Sequence, residues 1–324
     1  MIGRLRSSRS LLLTGLADVW GALGDRGGAG APGSGLALMV ASAAAFALMA
    51  AIVKKLLPNT PVQAVVFSRG VLLTAFFVGM ALWRRAPVLG KRPRLLVLRG
   101  LLGYAALSCY FWSVLHLPLG DAVLLQYSHP VFVALFAPFL LGERAGRGHW
   151  WLVGAALAGV ALIVRPEGAV RTEALVGVLG SVLAAFAYVT VRQLSRTEHP
   201  VTIMVWFPLA SVLPSLLGAI GSGPAALPRN AREVVGHLLV AATALVGQIT
   251  LTLGLARAGA ARATAVTLNG PVFGMIYGLI LFGTVPAIAS VAGMGIVLGA
   301  LALLGRERPA ASASANEPRE ETGA

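Results

Sequence analysis

Residues 36–53 read LALMVASAAAFALMAAIV, a run in which Ser42 is the sole polar side chain. As a helix rising 1.5 Å per residue it is about 27 Å long, close to the roughly 30 Å hydrocarbon core of a bilayer. Nine further apolar stretches follow, near 62–83, 95–115, 120–141, 150–164, 175–191, 201–220, 234–256, 263–283 and 286–304. The runs are continuous. Barrel strands would alternate apolar and polar positions over about ten residues, so the spans are helices. Prolines punctuate the connectors: Pro58 and Pro61, Pro87 and Pro93, Pro118, Pro166, Pro224 and Pro228, and Pro286. The expected fold is an all-α integral membrane protein with ten transmembrane helices.

Composition closes off the alternatives. Apolar residues make up 57% of the 324 positions and charged residues 12%, where a soluble domain carries about 25% charged. A soluble fold lacks the charge to cover that much apolar surface, and disorder needs low hydrophobicity. Cys109 is the single cysteine, so no disulfide framework exists.

The formal net charge of +14 reads as topology. Ten spans leave both termini on one side. Of the 26 Lys and Arg, nineteen fall on the segments sharing that side, from Arg4 to Arg26, Arg84 to Arg99, Arg144 and Arg147, Arg192 and Arg196, Arg257 and Arg262, and Arg306 to Arg319. Six lie opposite: Lys54, Lys55, Arg165, Arg171, Arg229 and Arg232. Arg69 lies within a span. Basic loops mark the cytoplasmic face, so both termini are expected there, with the lipid bilayer rather than nucleic acid as partner.

The chain repeats itself. Pro130-Val131-Phe132 matches Pro271-Val272-Phe273 at an offset of 141, shared by Gly142 with Gly283 and Gly154 with Gly295. Ala44-Ala45-Phe46-Ala47 matches Ala184-Ala185-Phe186-Ala187 at 140, and Pro61-Val62 matches Pro200-Val201 at 139. The unit holds five spans. Five is odd, so the second copy is inverted in the membrane, a design recurring in secondary transporters. The expected organisation is a largely disordered cytoplasmic arm (1–34), a first five-helix repeat (35–166), a second (174–305), and a disordered cytoplasmic tail (306–324).

The stretch from Arg99 to Pro166 resembles the EamA-type repeat of the drug/metabolite transporter superfamily. Arg99-Gly100 opens the third span, Leu117-Pro118 and Ala122 turn into the fourth, Pro130 lies within it, and Gly142-Glu143 closes it. In the second copy Thr284 stands in place of that acid. The resemblance implies two five-helix repeats carrying small organic solutes across the bacterial inner membrane.

Candidate site residues are those costly to bury. Arg69 lies about 10 Å deep in the second span at 1.5 Å per residue, where a charge should face the bundle interior. It is an anchor for a carboxylate or phosphate of an anionic or zwitterionic solute, a structural tie to backbone carbonyls, or a side chain snorkelling toward the outer interface. Pro130 and Pro271 sit within the fourth and ninth spans and free the carbonyls of Gln126 and Thr267. Gln126, Tyr127, His129 and Asn269 cluster beside them. His129 is a candidate proton acceptor as well as a structural group. Tyr104, Tyr110 and Trp206 offer aromatic surface with polar edges, and Gln248 adds an amide. Gly154-x-x-x-Ala158 and Gly295-x-x-x-Gly299 are expected to pack helices closely, within one chain or in a homodimer.

Nothing points to an enzyme. The five histidines lack metal-ligand spacing, no nucleophile elbow or phosphate loop is present, and no mid-span acid appears. No cofactor or metal is expected. A passive channel and a membrane-embedded enzyme acting on lipid remain the rival readings to a secondary transporter working by alternating access.

Overall fold

The computed structural model describes residues 32–304, apart from 84, 86, 142–144, 165–170 and 259–268. The tail, the Gly142-Glu143 pair, Thr267 and most of the arm lie outside the described residues. Among the described residues eleven helices follow in order: α1 (Pro32–Leu56), α2 (Val62–Trp83), α3 (Pro93–His116), α4 (Leu119–Gln126), α5 (His129–Leu141), α6 (Arg147–Val164), α7 (Thr172–Leu194), α8 (Pro200–Gly221), α9 (Ala231–Ala258), α10 (Gly270–Phe282) and α11 (Ile288–Leu304). A 3-10 turn at Gly223–Ala226 links α8 to α9. Among the described residues all regular structure is helical. Helix α1 starts at Pro32, inside the segment expected as arm.

The protein is a multi-pass membrane protein. Among the described residues eight spans are long and apolar enough to cross a bilayer, the fourth counted across α4 and α5; α10 and α11 are apolar but shorter. Of the ten expected crossings, eight are of full length among the described residues; the ninth expected run includes 263–268, outside them. Large apolar side chains face outward: Leu213 is 65% exposed, Ile220 67%, and Phe139 and Ile280 71% each. In water such a surface would drive association; against acyl chains it is solvated.

The fourth span is broken rather than kinked. Pro130 has no N–H and its ring would strike the turn before it, so α4 ends at Gln126 and α5 restarts at His129. Pro130 becomes the second residue of α5, where a missing N–H costs nothing. The Gln126 carbonyl expected to be free is not: His129 Nδ1–H donates to it at 2.8 Å. The Gln126 side-chain oxygen is what remains buried without a partner. Pro271 likewise sits in the first turn of α10, not mid-helix.

Helices pair antiparallel. Along α1 and α9, Gly236 meets Leu56 and Leu57, Gly247 meets Phe46, and Gly254 meets Met39. On α2 and α8, Gly70 meets Ser211 while Gly218 meets Gln63. Helices α3 and α7 join where Gly177 meets Ser113 and Gly180 meets Cys109. Between α4 and α10 the order is Gly278 with Leu119, Gly274 with Val123, and Gly270 with Tyr127. Helices α6 and α11 cross where a Cβ at Gly159 would lie 2.6 Å from the Gly293 carbonyl and one at Gly293 would lie 2.5 Å from that of Gly159. This narrows the sequence reading: Gly154, Gly295 and Gly299 have open space where a Cβ would go, so they do not make the crossing within the chain.

Both ends are tied by side chains reaching backbone. At the Leu56 end, Lys54 Nζ donates to the carbonyls of Val114 (2.8 Å) and Leu117 (2.7 Å), and Lys55 Nζ donates to Leu281 (2.9 Å). Each cation thereby meets the negative end of a helix. Gly283 closes α10 at φ 64, with its N–H donating back to Leu279 at 3.0 Å, the five-to-one bond of a left-handed helix stop. At the opposite end the Glu198 carboxylate accepts from the backbone N–H groups of Lys91 (3.0 Å) and Arg92 (2.6 Å), just before α3.

Candidate functional site

Arg69 lies on α2 and is 2% exposed. It does not snorkel. Gly70, beside it, would place a Cβ 2.9 Å from Ser211 Oγ, so α2 and α8 approach closely there. That approach sets Arg69 Cζ 5.5 Å from the centroid of the Phe207 ring on α8. Arg99, from α3, places its own Cζ 4.4 Å from the same centroid. Two glycines admit it. A Cβ at Gly100 would lie 2.3 Å from that of Ala210, and one at Gly103 would lie 2.5 Å from both Arg99 Nη1 and Phe207 Cε2.

The ring face attracts both guanidinium groups, but it does not replace hydrogen-bond acceptors. Arg69 Nε and Nη1 and Arg99 Nε are buried without a partner. The acids on described helices, Asp121, Glu173 and Glu233, each stand in the first turn of their helix. The structural alternative for Arg69, a tie to backbone carbonyls, is therefore not realised at Nε or Nη1.

The break in the fourth span borders this pair. The His129 ring stacks on Tyr188 of α7 with centroids 4.6 Å apart and planes at 9°. Tyr127 stands 6.3 Å from His129, centroid to centroid. Arg99 and Tyr188 are electrostatic neighbours, as are Tyr127 and Tyr188, and Tyr110 and Tyr127. Tyr188 is 47% exposed, so one ring of the cluster reaches the surface of the helix bundle. Chemically the arrangement offers cations to an anionic group and aromatic faces to a planar or apolar part.

The structure thus brings together Arg69, Tyr110, Tyr127 and His129, with Gln126 and Pro130 at the break. Asn269 and Pro271 border it through Gly270, which packs on the Tyr127 ring, while Tyr104, Trp206 and Gln248 make other contacts. Tyr104 donates its hydroxyl to Gln63 Oε1 at 2.8 Å. Trp206 donates its indole N–H to the Val88 carbonyl at 3.0 Å, fastening a connector. Gln248 is half-buried on α9, against which α1 packs, and Asn269 and Pro271 form the start of α10. Arg99, Phe207 and Tyr188 are new to the site. Arg99 was counted with the loop charges, yet it lies inside α3; the loop asymmetry becomes eighteen against six and keeps its sign. Phe207 and Tyr188 carry no sequence signal separating them from packing aromatics.

A cleft of about 620 Å³ opens elsewhere, between α2, α8, the 3-10 turn and α9. Ser68 and His237 meet at its wall, Oγ to Nδ1 2.6 Å. It contains none of the expected site residues, and its rim residues Ile220, Leu227 and Leu238 are outward-facing apolar groups. Among the described residues no cluster of His, Cys, Asp or Glu suits a metal ion.

The EamA-like transporter family profile matches residues 33–165 and again 171–306. The chain belongs to the EamA-like transporter family. Over 85% of its length this family member is 32% identical to the pseudopaline exporter CntI of Pseudomonas aeruginosa, covering 97% of that protein. It is 28% identical to solute carrier family 35 member G1 of Mus musculus, over 81% of this chain and 75% of the relative. It is 29% identical to a riboflavin transporter of Rhizobium johnstonii, over 60% and 65% respectively. A solved crystal structure superposes with a TM-score of 0.58 at 21% identity, covering 84% of this chain and 97% of the other; that likeness is one of fold. The EamA-like chain is therefore a transporter.

Proposed function

We propose that this protein is a secondary transporter that moves a small anionic or zwitterionic organic solute across a bacterial inner membrane by alternating access. Its two halves, 35–166 and 174–305, are inverted copies of one five-helix unit, and both termini are cytoplasmic. One observation carries the reading. Helices at equivalent places in the two halves run antiparallel to each other: α2 against α8, α6 against α11, and α4 against α10. Opposed equivalents follow from an odd number of spans per repeat, and copies so related can exchange conformations across the membrane. The contacts respect the exchange, since α1 with α9 corresponds to α7 with α3. The relatives named for pseudopaline and riboflavin support a small organic cargo, and Arg69 supports an anionic group on it.

In this reading the solute lies between the Arg69–Phe207–Arg99 group and the Tyr127–His129–Tyr188 group. The Leu56 end is closed by the α4–α10 seam and by Lys54 and Lys55. Counterflow in proteoliposomes tests the carrier. Labelled glutarate, glutamate and riboflavin serve as probes. A carrier shows saturable uptake of a probe that accelerates at least threefold when the same unlabelled compound is trapped inside. A pore shows linear uptake with no acceleration, and that result removes alternating access.

A further inference from the structure

Two guanidinium groups share one aromatic ring inside the bundle. The distances of 5.5 and 4.4 Å to a single centroid hold the two Cζ atoms within about 10 Å of each other. Among the described residues, three of their nitrogens are buried without a partner. Arginine keeps its proton at any physiological pH, so neither group escapes its charge by neutralising. A buried cation without a counter-ion is among the costliest arrangements in a protein, more so at membrane depth. Neighbouring like charges add repulsion. Gly100 and Gly103 keep the space that allows Arg99 to reach the ring, so the packing is arranged around the pair rather than strained by it.

We propose that Arg69 and Arg99 form a two-point receptor for a solute carrying two carboxylate-type groups on a short chain, which passes along the Phe207 ring. This rests on the central site of the proposed function and sharpens it. A guanidinium fork takes one carboxylate in bidentate fashion. Two forks on one phenyl ring can each engage one such group. A zwitterion is disfavoured, because its ammonium group would stand beside two cations while the acids of the described helices stay at helix starts. Phe207 contributes a low-dielectric wall that strengthens both ion pairs and offers an apolar face to the connecting chain.

The test is thermal unfolding of the full chain in detergent at constant ionic strength with four probes. These are glutarate, butyrate (one carboxylate), β-alanine (a zwitterion) and inorganic phosphate (one compact dianion). Glutarate is expected to raise Tm by about 4 °C or more at saturation, and each of the others by less than half as much. Arg99→Gln is expected to leave the unliganded Tm unchanged or higher, since it removes an uncompensated charge, and to abolish the glutarate shift; Arg69→Gln does the same. Arg99→Lys keeps the charge but loses the fork, and retains only part of the shift. Should Arg69→Gln fail to fold, the two Arg99 variants decide. The proposal is overturned if glutarate gives no shift, if butyrate, β-alanine or phosphate equals it, or if Arg99→Gln keeps the full shift. Trans-acceleration of any probe without a glutarate shift leaves the carrier standing and removes the receptor. A glutarate shift without trans-acceleration does the reverse.

Discussion

Gly293→Val is expected to lower the unfolding temperature by on the order of 10 °C, while Gly295→Val, two residues away, is expected to be near neutral. The contrast comes from what each new Cβ meets. At Gly293 it lies 2.5 Å from the Gly159 carbonyl, with Ile163 and Leu162 at 3.1 Å. The obstacle is backbone of the facing helix and cannot rotate away, so α6 and α11 must separate. Separation loosens Val160, Ile163, Val297 and Leu301, all buried in the shared core. Overpacking of this kind costs about 1–3 kcal/mol and more where nothing yields. At Gly295 nothing lies within 4 Å. Retention of a monodisperse detergent-solubilised peak after heating measures both. The reciprocal variant Gly159→Val should behave like Gly293→Val, and the double variant should cost less than the sum, since one separation relieves both clashes. The opposite ranking, with Gly295→Val the damaging change, would mean that the outward-facing small residues make the crossing.

Gly274→Leu is expected to leave the protein folded and to slow counterflow at least tenfold. Gly270, Gly274 and Gly278 line the face of α10 that carries α4, and a Cβ at Gly274 would lie 2.7 Å from Val123 Cβ and 2.9 Å from both its methyl groups. Valine is branched at that atom and stiff about χ1, so α4 itself must move. The wedge acts only in the state whose seam is shut. A penalty of about 2 kcal/mol confined to that state shifts the two-state population roughly thirtyfold toward the open seam. Transport needs both states, so trapping either one stops turnover. Gly274→Ala should give a smaller slowing in the same direction. Unchanged counterflow with Gly274→Leu would show that the seam does not open during transport.

The spans were legible because hydrocarbon demands long uninterrupted apolar runs, and 36–53 or 201–220 leave no alternative. The break in the fourth span was half legible. Pro130 announced a disruption, but only the structure places it at Tyr127–Ser128 and gives the Gln126 carbonyl to His129. Which small residues make the crossing within the chain was not legible, because they recur on several faces of α6. Gly154 and Gly159 differ by five positions, about 140° around the helix, and spacing alone does not say which faces inward. Arg69 stood out because no basic residue flanks it in its run. Arg99 did not, because Arg92 and Arg94 precede it and it read as the edge of a basic loop. Phe207 is one of twelve phenylalanines; its role depends on two arginines far from it in sequence. Tyr104 and Trp206 were plausible by type but spend their polar atoms on Gln63 and Val88.

Solvent access to the Tyr188 position tests the central claim most directly. Cys109 is the single cysteine, so Cys109→Ser gives a background free of thiols, into which Tyr188→Cys is introduced. A membrane-impermeant maleimide is then applied to right-side-out and to inside-out vesicles. Alternating access predicts labelling from each face, with Gly274→Leu raising the rate from the face that carries the α4–α10 seam and lowering it from the other. Labelling from one face only, unmoved by Gly274→Leu, would contradict it.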